Sequence, residues 1–263
     1  MPGLEILLFT ADVPLARLAS AAGLAGVVVD WEDRRNSVDR SQADDGDGPD
    51  TVDDLRSVAA VSSAKVLCRI NAVGERTACE IERAVAAGAT HILVPMVETT
   101  DQIERVVELV RGRVGVGIMV ETMLASARAR DLAKVPVEFV YVGLLDLAIS
   151  RGEGNVFRAL ADGTAQHLRE CFGNTRFGIG GVTVVDAGSP VPCHTLMREL
   201  ARLRTDIVFA RRSLKRDLAG RDLAVEHQRI HAAWHELLQR DSGRVDADHQ
   251  DFVARFGGSR PSR

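Results

Sequence analysis

The chain has 263 residues, about the length of one α/β barrel and too long for one small β-sandwich. Hydrophobic residues make up 46% of it and aromatic ones only 4%, so its core has to be built from Ala, Val, Leu and Ile, a mix that suits parallel strands covered by helices. A net charge of −4 gives no electrostatic reason to expect nucleic acid or a membrane surface as partner.

The N-terminus lacks a basic stretch followed by an apolar run and a small-residue cleavage site. No segment reaches the roughly 18 to 20 uninterrupted apolar residues of a membrane span. Cys68, Cys79, Cys171 and Cys193 are scattered, with no C-x-x-C pair, which reads as reduced thiols. A soluble, cytoplasmic protein is the expectation.

Short β-branched runs alternate with longer amphipathic stretches, the pattern of repeated βα units. The strand candidates are Glu5–Thr10, Gly26–Asp30, Lys65–Ile70, His91–Pro95, Gly115–Val120, Phe139–Val142, Arg176–Gly181 and Asp206–Ala210. Helix-like segments such as Glu75–Ala87, Thr100–Arg111 and Leu196–Arg204 lie between them, and Gly88, Gly112 and Gly173 stand where a left-handed residue ends a helix. Eight such strands close most naturally into a single (β/α)8 TIM barrel spanning residues 1–218. An open doubly wound sheet is the alternative, but no G-x-G-x-x-G follows the first strand. Asp39–Asp54 is acidic and reads as a long mobile loop, either a solvated insertion or a lid over the barrel mouth. Asp222–Gln239, within 219–240, reads as an extra C-terminal helix. From Asp241 a polar tail (241–263) is expected, disordered at its end.

In a barrel the informative side chains stand at the C-terminal ends of the strands, where they converge on one mouth. Those positions hold Asp30, Glu32 and Asp33 after the second strand, Arg69 on the third, Pro95 and Glu98 after the fourth, Glu121 after the fifth and Asp146 after the sixth. Carboxylates with open coordination positions suit a hard ion such as Mg2+ or Mn2+, completed by water and substrate oxygens, whereas zinc would recruit imidazole or thiolate. Arg69 can clamp a planar carboxylate or enolate in bidentate fashion, or form a structural salt bridge with one of these acids. His227, His231 and His235 repeat at i, i+4 and i+8. Two of them can chelate an ion, but all three span about 12 Å, so a polar face or subunit contact is the plainer reading. His194 could reach the mouth or merely start a helix.

These residues resemble the HpcH/HpaI aldolase and citrate lyase β-subunit superfamily of pyruvate-type barrels. Val29-Asp30-Trp31-Glu32-Asp33 looks like its D-x-E-D or D-x-E-H turn, and Cys68-Arg69-Ile70-Asn71 like its substrate-arginine strand. Gly88 to Glu98 is similar to its G-A-x-x-x-x-V-P-M-V segment. Val120-Glu121-Thr122 followed by Tyr141 to Leu147 is similar to its I-E-T and G-x-x-D-L pair. The likeness runs through roughly residues 5 to 150. It implies that Glu121 and Asp146 hold Mg2+ or Mn2+, that Arg69 binds a pyruvate-like unit beside Pro95, Leu145 and Asp146, and that Glu32 and Glu98 orient waters on the ion. The expected reaction is a carbon–carbon lyase or aldolase step on a 2-oxo acid, a hydroxy acid or its CoA thioester, through a metal-stabilised enolate. The resemblance also points to a homo-oligomer (dimer, trimer or hexamer) that swaps its terminal helix.

Two departures stand out. Asp33 replaces the His of the hydroxy-acid aldolases, and Gly180-Gly181-Val182-Thr183-Val184 stands where citrate lyases carry an H-P-x-Q type signature. Asp30 and Asp33 are catalytic candidates. An aspartate of reference pKa about 3.9 is nevertheless a weak base, so proton transfer is expected from a metal-bound water or from an acidic group of a neighbouring subunit. Two rival readings are a non-catalytic oxo-acid-binding barrel and a metal-dependent barrel hydrolase, the latter resting on Gly180-Gly181 and Arg211-Arg212.

Overall fold

The structure, a computed structural model, describes residues 3–33 and 49–258. In chain order its elements are β1 (Glu5–Phe9), α1 (Val13–Ala21), β2 (Gly26–Asp30), α2 (Val52–Ala59), β3 (Lys65–Arg69), α3 (Thr77–Ala86) and β4 (His91–Val94). There follow α4 (Thr100–Val110), β5 (Gly115–Val120), α5 (Met123–Ala127), α6 (Ala129–Leu132), β6 (Phe139–Val142), α7 (Leu144–Ser150), α8 (Arg158–Ala161) and α9 (Thr164–Phe172). The chain closes with β7 (Arg176–Val182), α10 (Cys193–Arg202), β8 (Ile207–Ala210), α11 (Leu214–Asp217), α12 (Leu223–Leu238) and α13 (Ser242–Phe256). The strands pair in parallel in chain order, and β8 returns to β1, so the sheet is a closed barrel. The predicted (β/α)8 barrel is the fold; the open sheet is excluded.

Side chains of a strand alternate between faces, so each strand contributes to two cores. Leu7, Val28, Leu67, Leu93, Met119, Phe139, Tyr141 and Ile207 fill the barrel interior. Their neighbours in sequence, such as Ile6, Val27, Val29, Val66, Cys68, Ile92 and Ile118, face outward and pack beneath the helices. A fully buried Val, Leu, Ile or Phe contributes about 1.5–3 kcal/mol, and almost all of this core is aliphatic, as the composition requires. Gly117 is part of that packing, because a Cβ there would collide with the Phe139 ring.

One step towards the strands' N-termini the interior becomes charged. Glu5 accepts from Lys65 at 2.9 Å and pairs with Arg176 at 2.8 Å, while His91 Nε2 lies 3.0 Å from Glu138 Oε1. One step towards the C-termini the same alternation brings Asp30, Arg69 and Glu121 inward, two residues beyond Val28, Leu67 and Met119. The functional mouth follows from the period of the strands.

The C-terminal region differs from its reading. Leu223, Ile230, Trp234 and Leu237 of α12 are buried against the chain's own α10 and α1, so these apolar residues need no partner subunit to cover them. The stretch read as a polar tail forms α13, which packs on α10 and buries Phe252. Few apolar residues hold it. Instead Asp248 receives Arg240 at 2.6 Å, Arg198 at 3.3 Å and Arg244 at 3.4 Å, and His249 bonds Glu199 at 2.9 Å. Within the acidic stretch read as a loop, Thr51 caps α2 in a reciprocal pair with Asp54. The candidate lid, residues 39–48, and the closing residues of the tail lie outside the described residues.

Candidate functional site

Asp30 and Arg69 are register partners on adjacent strands, both facing inward, and their pairing follows from that. Asp30 takes the guanidinium edge in bidentate fashion, accepting from Nε at 2.8 Å and from Nη2. Nη1 lies 3.1 Å from Glu32 Oε2. Beneath them Phe9 carries the guanidinium 4.9 Å from its ring centroid. These partners hold Arg69 cationic, raising its pKa despite the burial that works to lower it. The structural salt bridge weighed from sequence is thus present. Among the described residues the contacts of Arg69 are the bidentate pair with Asp30 and the Nη1 approach to Glu32, which do not engage all five N–H groups of the side chain.

The turn after β2 is tightly built. Asp30 N donates to Asp50 at 2.7 Å, Trp31 Nε1 donates to the Thr51 carbonyl at 3.1 Å, and Asp33 N donates to Asn71 at 2.9 Å. Asn71 Nδ2 in turn donates to the buried Glu80 at 2.8 Å. Burial and the neighbouring charges of Asp30 and Asp54 raise the pKa of Asp50.

Glu121 is 1% exposed, one residue past β5. Oε1 accepts the Met96 N–H at 2.8 Å, whereas Oε2 is buried and finds no hydrogen-bond partner among the described residues. The donor is aimed by an uncommon backbone: Met96, just after Pro95, has φ of 54°, in the left-handed region. On the other side Gly143 N-caps α7, and Asp146 stands in the first turn of that helix. Burial is the largest cause that raises the Glu121 pKa, to about 7, and the Asp146 charge is the next; Arg69 and the Met96 N–H pull the other way. Glu121, Asp146 and Arg69 are therefore gathered within electrostatic reach.

Such a buried carboxylate oxygen is an unfinished polar site, which a proton or a cation would complete. The two carboxylates fit a hard divalent ion that takes its remaining ligands from water and substrate. No group of three or more His, Cys, Asp or Glu able to hold a metal occurs among the described residues. Glu98, expected beside the ion, accepts the Thr122 hydroxyl at 2.9 Å, and Glu32 belongs to the Arg69 cluster. Pro95 is buried at the mouth, and Leu145 and Asp146 are half-buried beside it.

Other candidates fall elsewhere. His194, on α10, neighbours Arg198, Asp248, Glu236 and Arg240, against the C-terminal helices. Gly180 and Gly181 belong to a register shift between β7 and β8. Arg211 donates to the Gly181 carbonyl at 3.0 Å and to the Val191 carbonyl at 2.8 Å, pinning the loop after β7. Gly143 and Met96 were missed from sequence. Gly143 stands at the head of the G-x-x-D-L segment, a signal that could have marked it; the Met96 contact is a backbone one and leaves no trace in residue type.

The HpcH/HpaI aldolase/citrate lyase family profile matches residues 7–155. Comparison with curated proteins gives no match. Among solved structures, an HpcH/HpaI aldolase from Desulfitobacterium hafniense DCB-2 is similar at 13% identity and TM-score 0.61, over 92% of this chain and 95% of that one. An HpcH/HpaI aldolase/citrate lyase family protein from Burkholderia cenocepacia J2315 is similar at 17% identity and TM-score 0.61, over 90% and 95%. Citrate synthase SbnG is similar at 18% identity and TM-score 0.60, over 87% and 94%. At such identities these likenesses speak for the fold, while the family match covers the segments that carry Asp30, Arg69, Glu121 and Asp146: the chain belongs to the HpcH/HpaI aldolase/citrate lyase family.

Proposed function

We propose that the protein is a divalent-metal-dependent carbon–carbon lyase or aldolase acting on a 2-oxo acid, a hydroxy acid or its CoA thioester through an enolate. The observation that carries this reading is the unpartnered Oε2 of Glu121, buried within reach of the Asp146 and Arg69 charges. Glu121 and Asp146 would hold Mg2+ or Mn2+, which supplies Lewis acidity towards the substrate oxygens when bound.

The remaining work falls to the chain's own residues. Arg69 presents the N–H groups that no described residue engages to the carboxylate or developing enolate oxygens of a pyruvate-like unit, and Asp30 and Glu32 fix the plane of that fork. Pro95 and Leu145 flank the unit and limit water beside it. Asp30 has both carboxylate oxygens engaged by Arg69. Water in the mouth, or an acidic group from a neighbouring subunit, takes the hydroxyl proton in its place. The chain assembles as a homo-oligomer on this reading, and large apolar side chains at Met96, Met123, Leu124 and Ile149 remain exposed to support such contacts. No helix among the described residues is long and apolar enough to cross a membrane.

The test is metal content of the purified protein together with a screen for turnover of pyruvate, oxaloacetate and glyoxylate adducts and for CoA release. Glu121→Ala and Asp146→Ala should abolish both metal uptake and turnover while leaving the fold intact. Near-wild-type turnover in either variant refutes the ligand assignment. The replacement of His by Asp33 favours one second reading, an oxo-acid-binding barrel without turnover, and saturable pyruvate binding with no product from any substrate would establish it.

A further inference from the structure

On α12, far along the chain from the mouth residues, His227 and His231 bring their Nε2 atoms to 3.0 Å, with ring centroids 4.4 Å apart. Residues four apart on a helix share a face, but free imidazoles there need not converge nitrogen to nitrogen. Two features adjoin them. The Ala22 backbone at the end of α1 faces His227, and a Cβ at the adjoining Gly23 would lie 3.6 Å from its Cε1 and 3.7 Å from its Nδ1, so that edge of the ring is turned to the α1–β2 turn and Nε2 to His231. A backbone carbonyl on the Nδ1 side is the arrangement that orients a metal-binding histidine. Gly3 faces His231, where a Cβ would come within 3.2 Å of Cε1. The second ring is thereby walled in without a side chain to fill the space.

The separation suits a shared ion. Metal–nitrogen bonds of about 2.0–2.1 Å set adjacent ligands of a square-planar or octahedral ion about 2.9 Å apart, and those of a tetrahedral ion about 3.3–3.4 Å. The observed 3.0 Å, which two neutral imidazoles also adopt when one donates to the other, lies close to both spacings, so a small motion of either ring seats an ion of this class.

We propose that His227 and His231 form a two-imidazole site for a divalent transition ion of the copper–nickel–zinc class, separate from the carboxylates of the barrel mouth. Burial lowers the pKa of both rings below the ordinary 6.5, as do His231 beside His227 and His235 beside His231, so both are neutral ligands at pH 7. The ion would tie α12 to the turn between α1 and β2, which lies against His227. His235, one turn further on, is exposed, and the paired rings leave it outside the site. The inference does not depend on the chemistry proposed for Glu121 and Asp146.

The experiment is calorimetric titration of the untagged, full-length chain with CuCl2 and NiCl2 in saturating Mg2+, alongside thermal unfolding with and without the transition ion. The expected result is uptake of one ion and a raised unfolding midpoint in the wild type. Both should be lost in His227→Gln and in His231→Gln, and kept in His235→Gln and in His167→Gln. The last variant controls for the other helical pair, His167 Nε2 and Cys171 Sγ at 3.5 Å. Retained binding in His227→Gln or His231→Gln, loss in His235→Gln, or no uptake by the wild type overturns the assignment.

Discussion

Gly143 lies against Glu121: a Cβ on Gly143 would stand 2.8 Å from Glu121 Cβ and would overlap Oε2. Its φ of −80° is open to any residue, so the glycine is needed for space and not for backbone freedom. Gly143→Ala should leave the barrel folded but push the carboxylate out of position. Displacement of a reacting-centre group by about 1 Å costs about a hundredfold in rate, so kcat/KM should fall on that scale, with weakened Mn2+ binding by titration and an unfolding midpoint close to wild type. A variant with full metal affinity would show that the carboxylate has another resting place.

Arg69 should prove important twice over. Arg69→Met removes the guanidinium that Asp30 holds in bidentate fashion, and breaking such a buried pair costs about 3–5 kcal/mol. Arg69→Lys keeps the charge but loses the bidentate edge that Asp30 occupies. Denaturant unfolding should therefore rank the two variants with Met well below Lys, while turnover is lost in both. Equal stability of Arg69→Met and wild type would mean that the Asp30 pairing carries no net weight.

Glu121 makes the metal-free protein sensitive to pH. Its pKa is raised by the fold to about 7 from an ordinary 4.5, so the neutral acid is the form that the barrel prefers. That preference is fully present below pH 4.5 and is lost as pH rises through 7, at a cost of about 3 kcal/mol once ionised. Metal-free protein should lose stability relative to Glu121→Gln between pH 5 and pH 8. A bound divalent ion needs the ionised form, so Mn2+ affinity should weaken below pH 7 with release of close to one proton per ion. Proton-independent binding at pH 6, read by calorimetry in two buffers, would contradict this.

The terminal helix α13 should contribute to stability even though its surface is polar. Phe252→Ala removes a buried ring, which costs about 3–5 kcal/mol. Asp248→Ala leaves Arg240, only a tenth exposed, without its carboxylate and should cost a comparable amount. Both are checked by thermal unfolding, and an effect below the error of measurement in both would show that α13 is loosely held.

Much of this was open to reading in the sequence, and the physical reason is the period of two in the strands. Each predicted strand overlaps a real one, with edges displaced by a residue or so: β4 stops at Val94 before the turn that Pro95 and Met96 make, and β7 runs on to Val182. Arg69, Glu121 and Asp30 could be placed at the mouth because alternation and strand ends together decide where they face. The C-terminal helix α13 escaped because Asp, Arg and His dominate it and its anchor is a set of ion pairs with α10 and α12, which a pattern of apolar residues does not register. The faces of α10 and α1 that cover α12 are likewise distant in sequence, so its burial within the chain left no local signal.

The stacked aromatic rings at the centre of the barrel have a kinetic consequence. Tyr141 and Phe209 lie face to face at 3.7 Å, Phe9 meets Phe209 edge-on at 4.9 Å, and Arg69 rests on Phe9. Below them the interior is filled by Leu7, Val28, Leu67, Leu93, Met119 and Phe139. On the proposed reading, an oxo acid seated on Arg69 has packed side chains beneath it and leaves by the C-terminal ends of the strands. A molecule seated on Arg69 cannot leave while a second reactant stands above it, so synthesis should run in compulsory order, with the deep reactant first in. In the cleavage direction the fragment on Arg69 is last out, and product inhibition by that fragment should be competitive with the intact substrate.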